Sequence, residues 1–364
     1  MRTRSVVTSC AVAFVLAFGV IVMSASASTA GGNENRYKLT RLVSDKPGVA
    51  EHLDPNLVNA WGLVAGPATP WWVANNGSNT STLFDGAGTQ IPLVVRVAGA
   101  PTGAVFNGGS GFVVTHRGAS GPSVFMFANE NGKIRGWNPN VPLPAPSTKA
   151  FKVVDRSGAD AIFKGLAIAT TAGGDRLYAT DFHNGQVDVW DQNFAPVNVP
   201  GAFQDPNLPA GYGPFGIQAI GGNIFVTYAK QDADAEDDVQ GPGLGFVDMY
   251  SASGTLLERV ASQGRLDAPW GLAWAPDGFG EFGGDLLIGN FGDGRINAFK
   301  QESDGDFEFD DTLDRRDGTP MSIDGLWALQ FGTGGVAGPT DQLFFTAGPN
   351  DERHGLFGRI EAAS

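Results

Sequence analysis

The chain has 364 residues, among them 52 glycines, 25 phenylalanines and 8 tryptophans, and its 38 acidic against 24 basic side chains give a formal net charge of −14. That charge argues against a nucleic-acid-binding surface, which needs a basic face. Glycine at about twice its usual share, with many aromatics, points to short strands and tight turns rather than helices.

The first element is a leader. Arg2 and Arg4 precede an uncharged run from Val6 to Met23, and Ala25, Ser26 and Ala27 follow it. This is the order of a secretory signal: a basic start, an apolar centre and a small-residue cleavage site. The expected organisation is a signal peptide over 1–27, cut near Ala27, a flexible stretch over 28–35 and one domain over 36–364. Cleavage removes two arginines and no acid, so the charge becomes −16, with 22 basic against 38 acidic residues. The only cysteine, Cys10, leaves with the leader. The exported chain then has no disulfide and is held by its core alone. The expectation is a secreted, extracellular protein that does not stay in a membrane.

Beyond the leader one unit recurs six times: a Gly-apolar strand start, then an apolar run closed by a small residue, Asn or Asp, and a Gly turn. The strand starts are Trp61-Gly62, Thr102-Gly103, Lys164-Gly165, Phe215-Gly216, Trp270-Gly271 and Asp324-Gly325. The runs are short, rich in Val, Ile, Phe and Tyr, and joined by Asn-Gly or Asp-Gly turns, which predicts strands. Glycines 41 to 62 residues apart leave room for one four-stranded sheet each. Six such sheets set radially make an all-β, six-bladed β-propeller, which protects most strand edges. The last repeat supplies only three strands, whereas the segment from Tyr37 to Val43 precedes the first repeat unpaired. That segment is expected to be the outer strand of the last blade and to close the ring. The run from Gly111 to His116 fits no blade position. Pro139 to Pro146 reads as a loop before an outer strand at Phe151–Asp155.

Several stretches resemble an uncharacterised family of secreted bacterial propellers, related in pattern to NHL-repeat and lactonase-type six-bladed propellers. They are Asp54 to Leu63, Gly211 to Ile217, Ala268 to Leu272, Leu287 to Gly294, Gly325 to Leu329 and His354 to Gly358. The resemblance implies the same fold and no particular activity.

In such blades the loop into the innermost strand and the turn between the second and third strands share one face, at the channel mouth. The residue before each repeat glycine is therefore expected there: Trp61, Thr102, Lys164, Phe215, Trp270 and Asp324. Three aromatics, one cation and one anion suit a small organic, peptide or saccharide ligand. The competing reading is that the aromatics plug the axis and pack against neighbouring blades. Lactonase-type propellers hold a catalytic Ca²⁺ at such positions. One carboxylate falls far short of the six or more oxygens that Ca²⁺ takes.

Three further groups are weaker candidates. Asn75, Asn129, Asp181 and Asn290 recur at one repeat position and read as turn formers. The acidic insertion offers Asp232, Asp234, Glu236 and Asp238 to a possible Ca²⁺, without EF-hand spacing, and reads first as a solvated loop. The four histidines show no metal spacing; His183 and His354 are the two placed to reach the mouth. Three functions follow. The first is a propeller that binds a ligand at its mouth. The second is an extracellular hydrolase or lyase using Lys164, Asp324, His183 or His354 for acid-base work. The third is a protein-interaction scaffold working through its rim.

Overall fold

A computed structural model describes residues 34–363; the expected signal peptide over 1–27, with Cys10, lies outside the described residues. Six antiparallel sheets form a ring, a six-bladed β-propeller. Among the described residues no helix is long and apolar enough to cross a membrane.

The first blade is built from Ala60–Val64, Trp71–Asn75, Thr80–Phe84 and Gln90–Arg96, in that order from the axis outward. The second uses Pro101–Phe106, Phe125–Asn129, Lys133–Trp137 and Phe151–Asp155. The run at Gly111 to His116 finds its place here, since Val113–His116 pairs with Ala119–Pro122 in a separate hairpin between the blade's first two strands. The fourth blade uses Tyr212–Ile220, Asn223–Gln231, Gly245–Ser251 and Leu256–Ser262. The fifth uses Pro269–Trp274, Leu286–Asn290, Ile296–Gln301 and Phe307–Thr312.

The sixth blade closes the ring as expected. Leu326–Phe331, Leu343–Ala347 and Leu356–Ala362 are completed by Tyr37–Ser44, which runs antiparallel to the last of them. Tyr37 anchors this closure: its ring lies against Phe279 and Phe282, and its hydroxyl donates to the Phe279 carbonyl at 2.9 Å. The third blade departs from the expected four strands. Among the described residues it has only Phe163–Thr171, Gly174–Asp181 and Gln186–Asp191.

The ring form follows from burial. Middle strands such as Trp71–Asn75 and Phe125–Asn129 are buried at every position, so both faces of each sheet need apolar cover. Neighbouring blades supply it. Six apolar clusters lie one between each adjacent pair of blades, and a seventh lies on the axis. Burying apolar area on both faces of six small sheets is the main stabilising term.

The repeat glycines have a steric cause. A Cβ at Gly103 would stand 2.7 Å from the Gly165 carbonyl carbon, and one at Gly216 would run into the Trp270 backbone. Inner strands of adjacent blades thus meet backbone to backbone, a spacing that glycine permits.

Candidate functional site

The axial cluster holds Trp61, Phe182, Phe215, Phe291 and Trp327, with Trp270 packed against it. Trp61 and Trp327 stack with centroids 3.6 Å apart, and Phe291 covers the other face of Trp327 at 3.9 Å. Trp61 is 2% exposed and Phe215 fully buried, so these rings plug the axis rather than wall an open pocket. Trp270 is half-buried, and its indole N–H donates to the Lys164 carbonyl at 3.2 Å. Thr102 is buried and donates to the Phe163 carbonyl at 2.7 Å, tying the second blade to the third.

In the sixth blade the ring position belongs to Trp327, not Asp324. The Trp327 carbonyl meets Gly271 as the Trp270 carbonyl meets Gly216. The Ala328 amide donates to Thr346 Oγ1 as the Gly216 amide donates to Thr227 Oγ1. Ala328 therefore stands where the other blades carry the repeat glycine. Asp324, three residues earlier, is exposed and accepts from the Asn350 amide at 2.8 Å.

Above the plug lies a charged cluster drawn from four blades. Lys164 is 2% exposed, and its Nζ sits 5.4 Å over the Trp61 ring, a cation–π distance. It donates to Glu130 Oε1 at 2.6 Å and to Asp237 Oδ1 at 2.9 Å. Burial alone pulls the Lys164 ammonium down. The Glu130 and Asp237 carboxylates outweigh that and raise it above its ordinary value. Lys164 thus stays charged and cannot serve as a base near neutral pH. Asn76 holds the other Glu130 oxygen at 2.9 Å. Glu352 accepts from Asn59 at 2.6 Å, and Asn59 in turn accepts from the Trp327 indole at 2.9 Å, which links the charged layer to the plug. Burial raises Glu352, with the Glu130 charge adding to the shift. Asp238 is pushed up to about 7, chiefly by burial. Its Oδ2 is buried with no partner among the described residues, and so is the Trp61 indole nitrogen.

The acidic insertion is only partly a solvated loop. Asp232 accepts from the Glu236 amide and shapes the turn, while Asp234 and Glu236 are exposed. Asp237 reaches Lys164, and Asp238 pairs with Gln231 in a short hairpin arm. Among the described residues no three His, Cys, Asp or Glu side chains are grouped to hold a metal ion.

His354 is occupied elsewhere, its Nδ1 2.8 Å from Asp45 Oδ2. His183 lies in the turn after Asp181, with a buried, unpartnered Nδ1. The recurring Asn and Asp residues hold local structure: Asp181 caps its turn by accepting from the Asn184 amide at 3.3 Å, and Asn75 donates to Thr82 at 2.9 Å. Glu130, Asp237, Asn59 and Trp327 are not among the residues that the sequence singles out. All adjoin motifs already noted: Glu130 follows Asn129, Asp237 lies in the acidic insertion between Glu236 and Asp238, Asn59 stands two before Trp61, and Trp327 stands two after Gly325.

An axial aromatic plug under a charged mouth, inside a closed ring of blades, defines a six-bladed β-propeller. Crystal structures share that fold at low identity. A soluble aldose sugar dehydrogenase from Escherichia coli is 11% identical, with a TM-score of 0.54, over 90% of this chain and 100% of that one. A glucose dehydrogenase is 14% identical with a TM-score of 0.50, over 90% and 99%. A virginiamycin B lyase from Staphylococcus aureus is 13% identical with a TM-score of 0.49, over 90% and 100%. At such identities the likeness shows the fold alone. No family model matches the chain. Two proteins of Acanthamoeba polyphaga mimivirus are much nearer in sequence. The uncharacterized protein R648 is 33% identical over 340 residues, which is 89% of this chain and 80% of the viral one. The uncharacterized protein L690 is 31% identical over 339 residues, 89% and 85%. The chain belongs to the family of these uncharacterized viral proteins.

Proposed function

We propose that the protein binds a small, neutral, hydroxyl-rich ligand of the saccharide type at the mouth above the aromatic plug. The observation that carries this is a buried lysine held between carboxylates from different blades, beside a carboxylate oxygen and an indole N–H that lack partners. Buried polar atoms are nearly always hydrogen-bonded. An acceptor, Asp238 Oδ2, and a donor, the Trp61 indole N–H, without partners at one mouth suit a sugar's hydroxyls. Four carboxylates against one ammonium disfavour an anionic ligand. Native mass spectrometry of protein purified under mild conditions tests the reading. A bound mass in the saccharide range that disappears in Lys164→Met is expected; an anionic adduct, or one indifferent to that substitution, counts against it.

A catalytic reading, as a hydrolase or lyase, has one observation in its favour. Asp238 titrates near neutrality and lies beside a fixed ammonium, as suits a general acid or base. Under it Asp238, rather than Asp324 or His354, carries the proton. Export is part of the proposal and rests on Arg2, Arg4 and the Val6 to Met23 run. The mass of the protein recovered from culture medium is expected to correspond to a start near Ser28.

A further inference from the structure

The third blade carries a second candidate site, far from the mouth, at its outer edge. Every other blade has a fourth strand; here Gln186–Asp191 is the last. The chain beyond it begins the missing strand and leaves. Ala195 accepts from the Asp191 amide at 2.9 Å, and the Val197 amide donates to the Val189 carbonyl at 2.8 Å. The chain then makes no further pairing with the edge strand. Because the Val189 carbonyl points outward, Val187, two residues away, also turns its N–H and C=O outward. The Val187 N–H and C=O and the Val189 N–H thus form a short unpaired edge, a template for another strand.

Two clefts flank this edge, where alternate side chains of a fourth strand would lie. The one facing the fourth blade holds about 430 Å³ and is lined by Arg156, Arg176, Val187, Val189, Asn198 and Phe203, among others. The one facing the second blade holds about 460 Å³ and is lined by Val153, Trp190, Phe194 and Pro196, with Arg156 and Asp188. Arg156 is engaged by Asp188 at 3.2 Å. Arg176 is half-buried and makes no ion pair among the described residues. With Asp188 also in its lining, the first cleft carries a net charge of +1, on a chain whose formal charge is −14, and Arg176 stands across from Asp191 on the neighbouring strand.

We propose that this edge docks an extended polypeptide segment of a partner protein, which adds the fourth strand to the third blade. The segment alternates acidic residues, facing Arg176 in the fourth-blade cleft, with apolar residues in the second-blade cleft. Its main chain pairs with Val187 and Val189, the usual way an extended peptide joins a sheet edge. The proposal is independent of the mouth.

The probe is a fluorescein-labelled, acetylated seven-residue peptide of alternating glutamate and valine, titrated by fluorescence anisotropy. Saturable binding is expected, weakened by ~10-fold or more in both Val187→Pro and Arg176→Glu, about what losing one or two hydrogen bonds or a desolvated charge contact produces. Proline is tolerated at 187 because the amide it removes points outward at an edge. Should Val187→Pro fail to fold, amide exchange in the unsubstituted protein decides: peptide is expected to slow exchange at Val187 and Val189, and unchanged exchange overturns the proposal. So does binding that Val187→Pro leaves intact, or equal binding of a lysine-valine peptide. Dimerisation in sedimentation that Val187→Pro abolishes overturns it in favour of a second copy of this chain.

Discussion

The six inner strands present two adjacent layers to the axis, and these differ sharply. One residue before the repeat position stand Trp61, Thr102, Lys164, Phe215, Trp270 and Trp327, with hydrogen bonds, a buried charge and partnerless polar atoms above them. One residue after it stand Leu63, Ala104, Leu166, Ile217, Leu272 and Leu329, which leave only about 20 Å³ between them. The lower layer does one thing, filling space. The upper layer mixes packing with polar groups that apolar packing alone does not call for, and polar groups carried at such a cost mark a binding surface more often than a structural one.

Substitutions separate the layers. The largest loss is expected for Trp327→Ala, which removes the central ring of the plug and the indole that holds Asn59: ~3–5 kcal/mol by analogy with buried aromatic truncations, read by denaturant unfolding, together with loss of ligand binding. Leu272→Ala in the lower layer is expected to cost ~2–4 kcal/mol while leaving any ligand affinity unchanged, and a changed affinity would erase the distinction drawn between the layers. Lys164→Met is expected to cost less, ~1–3 kcal/mol. The carboxylates it abandons can partly rehydrate, since Glu130 is 29% and Asp237 75% exposed. Its larger effect is on binding.

A pH dependence is expected as well. Asp238 has a folded pKa of about 7 against an ordinary value of 3.8. A carboxyl raised in the folded state contributes its stability below the ordinary value and loses it as pH rises through the folded one. In Asp238→Asn that loss is absent. The melting temperature of the variant relative to the parent is therefore expected to rise between pH 4 and 7, and a difference constant across that window contradicts the buried, partnerless carboxyl.

The blade count, the closure by Tyr37–Ser44 and the face of the mouth were legible because each rests on a local signal: alternation, turn glycines and a strand without a partner. Two features were not. The sixth repeat was read from Gly325, but Ala328 takes the glycine place. That shifted the ring from Trp327 to Asp324. The insertion was read by alternating carboxylates, which selects Asp232, Asp234, Glu236 and Asp238. A hairpin arm instead turns Asp237 and Asp238 toward Lys164, one blade earlier in sequence. Pairings over such separations leave no periodicity to read. The short third blade was hidden for a similar reason, since Ala195 to Val197 begins a fourth strand that the chain abandons.

The most direct measurement titrates neutral mono- and disaccharides into the protein while following tryptophan emission, with Lys164→Met and Asp238→Asn alongside. The account predicts that at least one sugar shifts the emission saturably and that both substitutions weaken it ~10-fold or more, the scale of a lost charge-assisted hydrogen bond. Sugars that leave the emission unmoved, or that bind both variants as they bind the parent, contradict it.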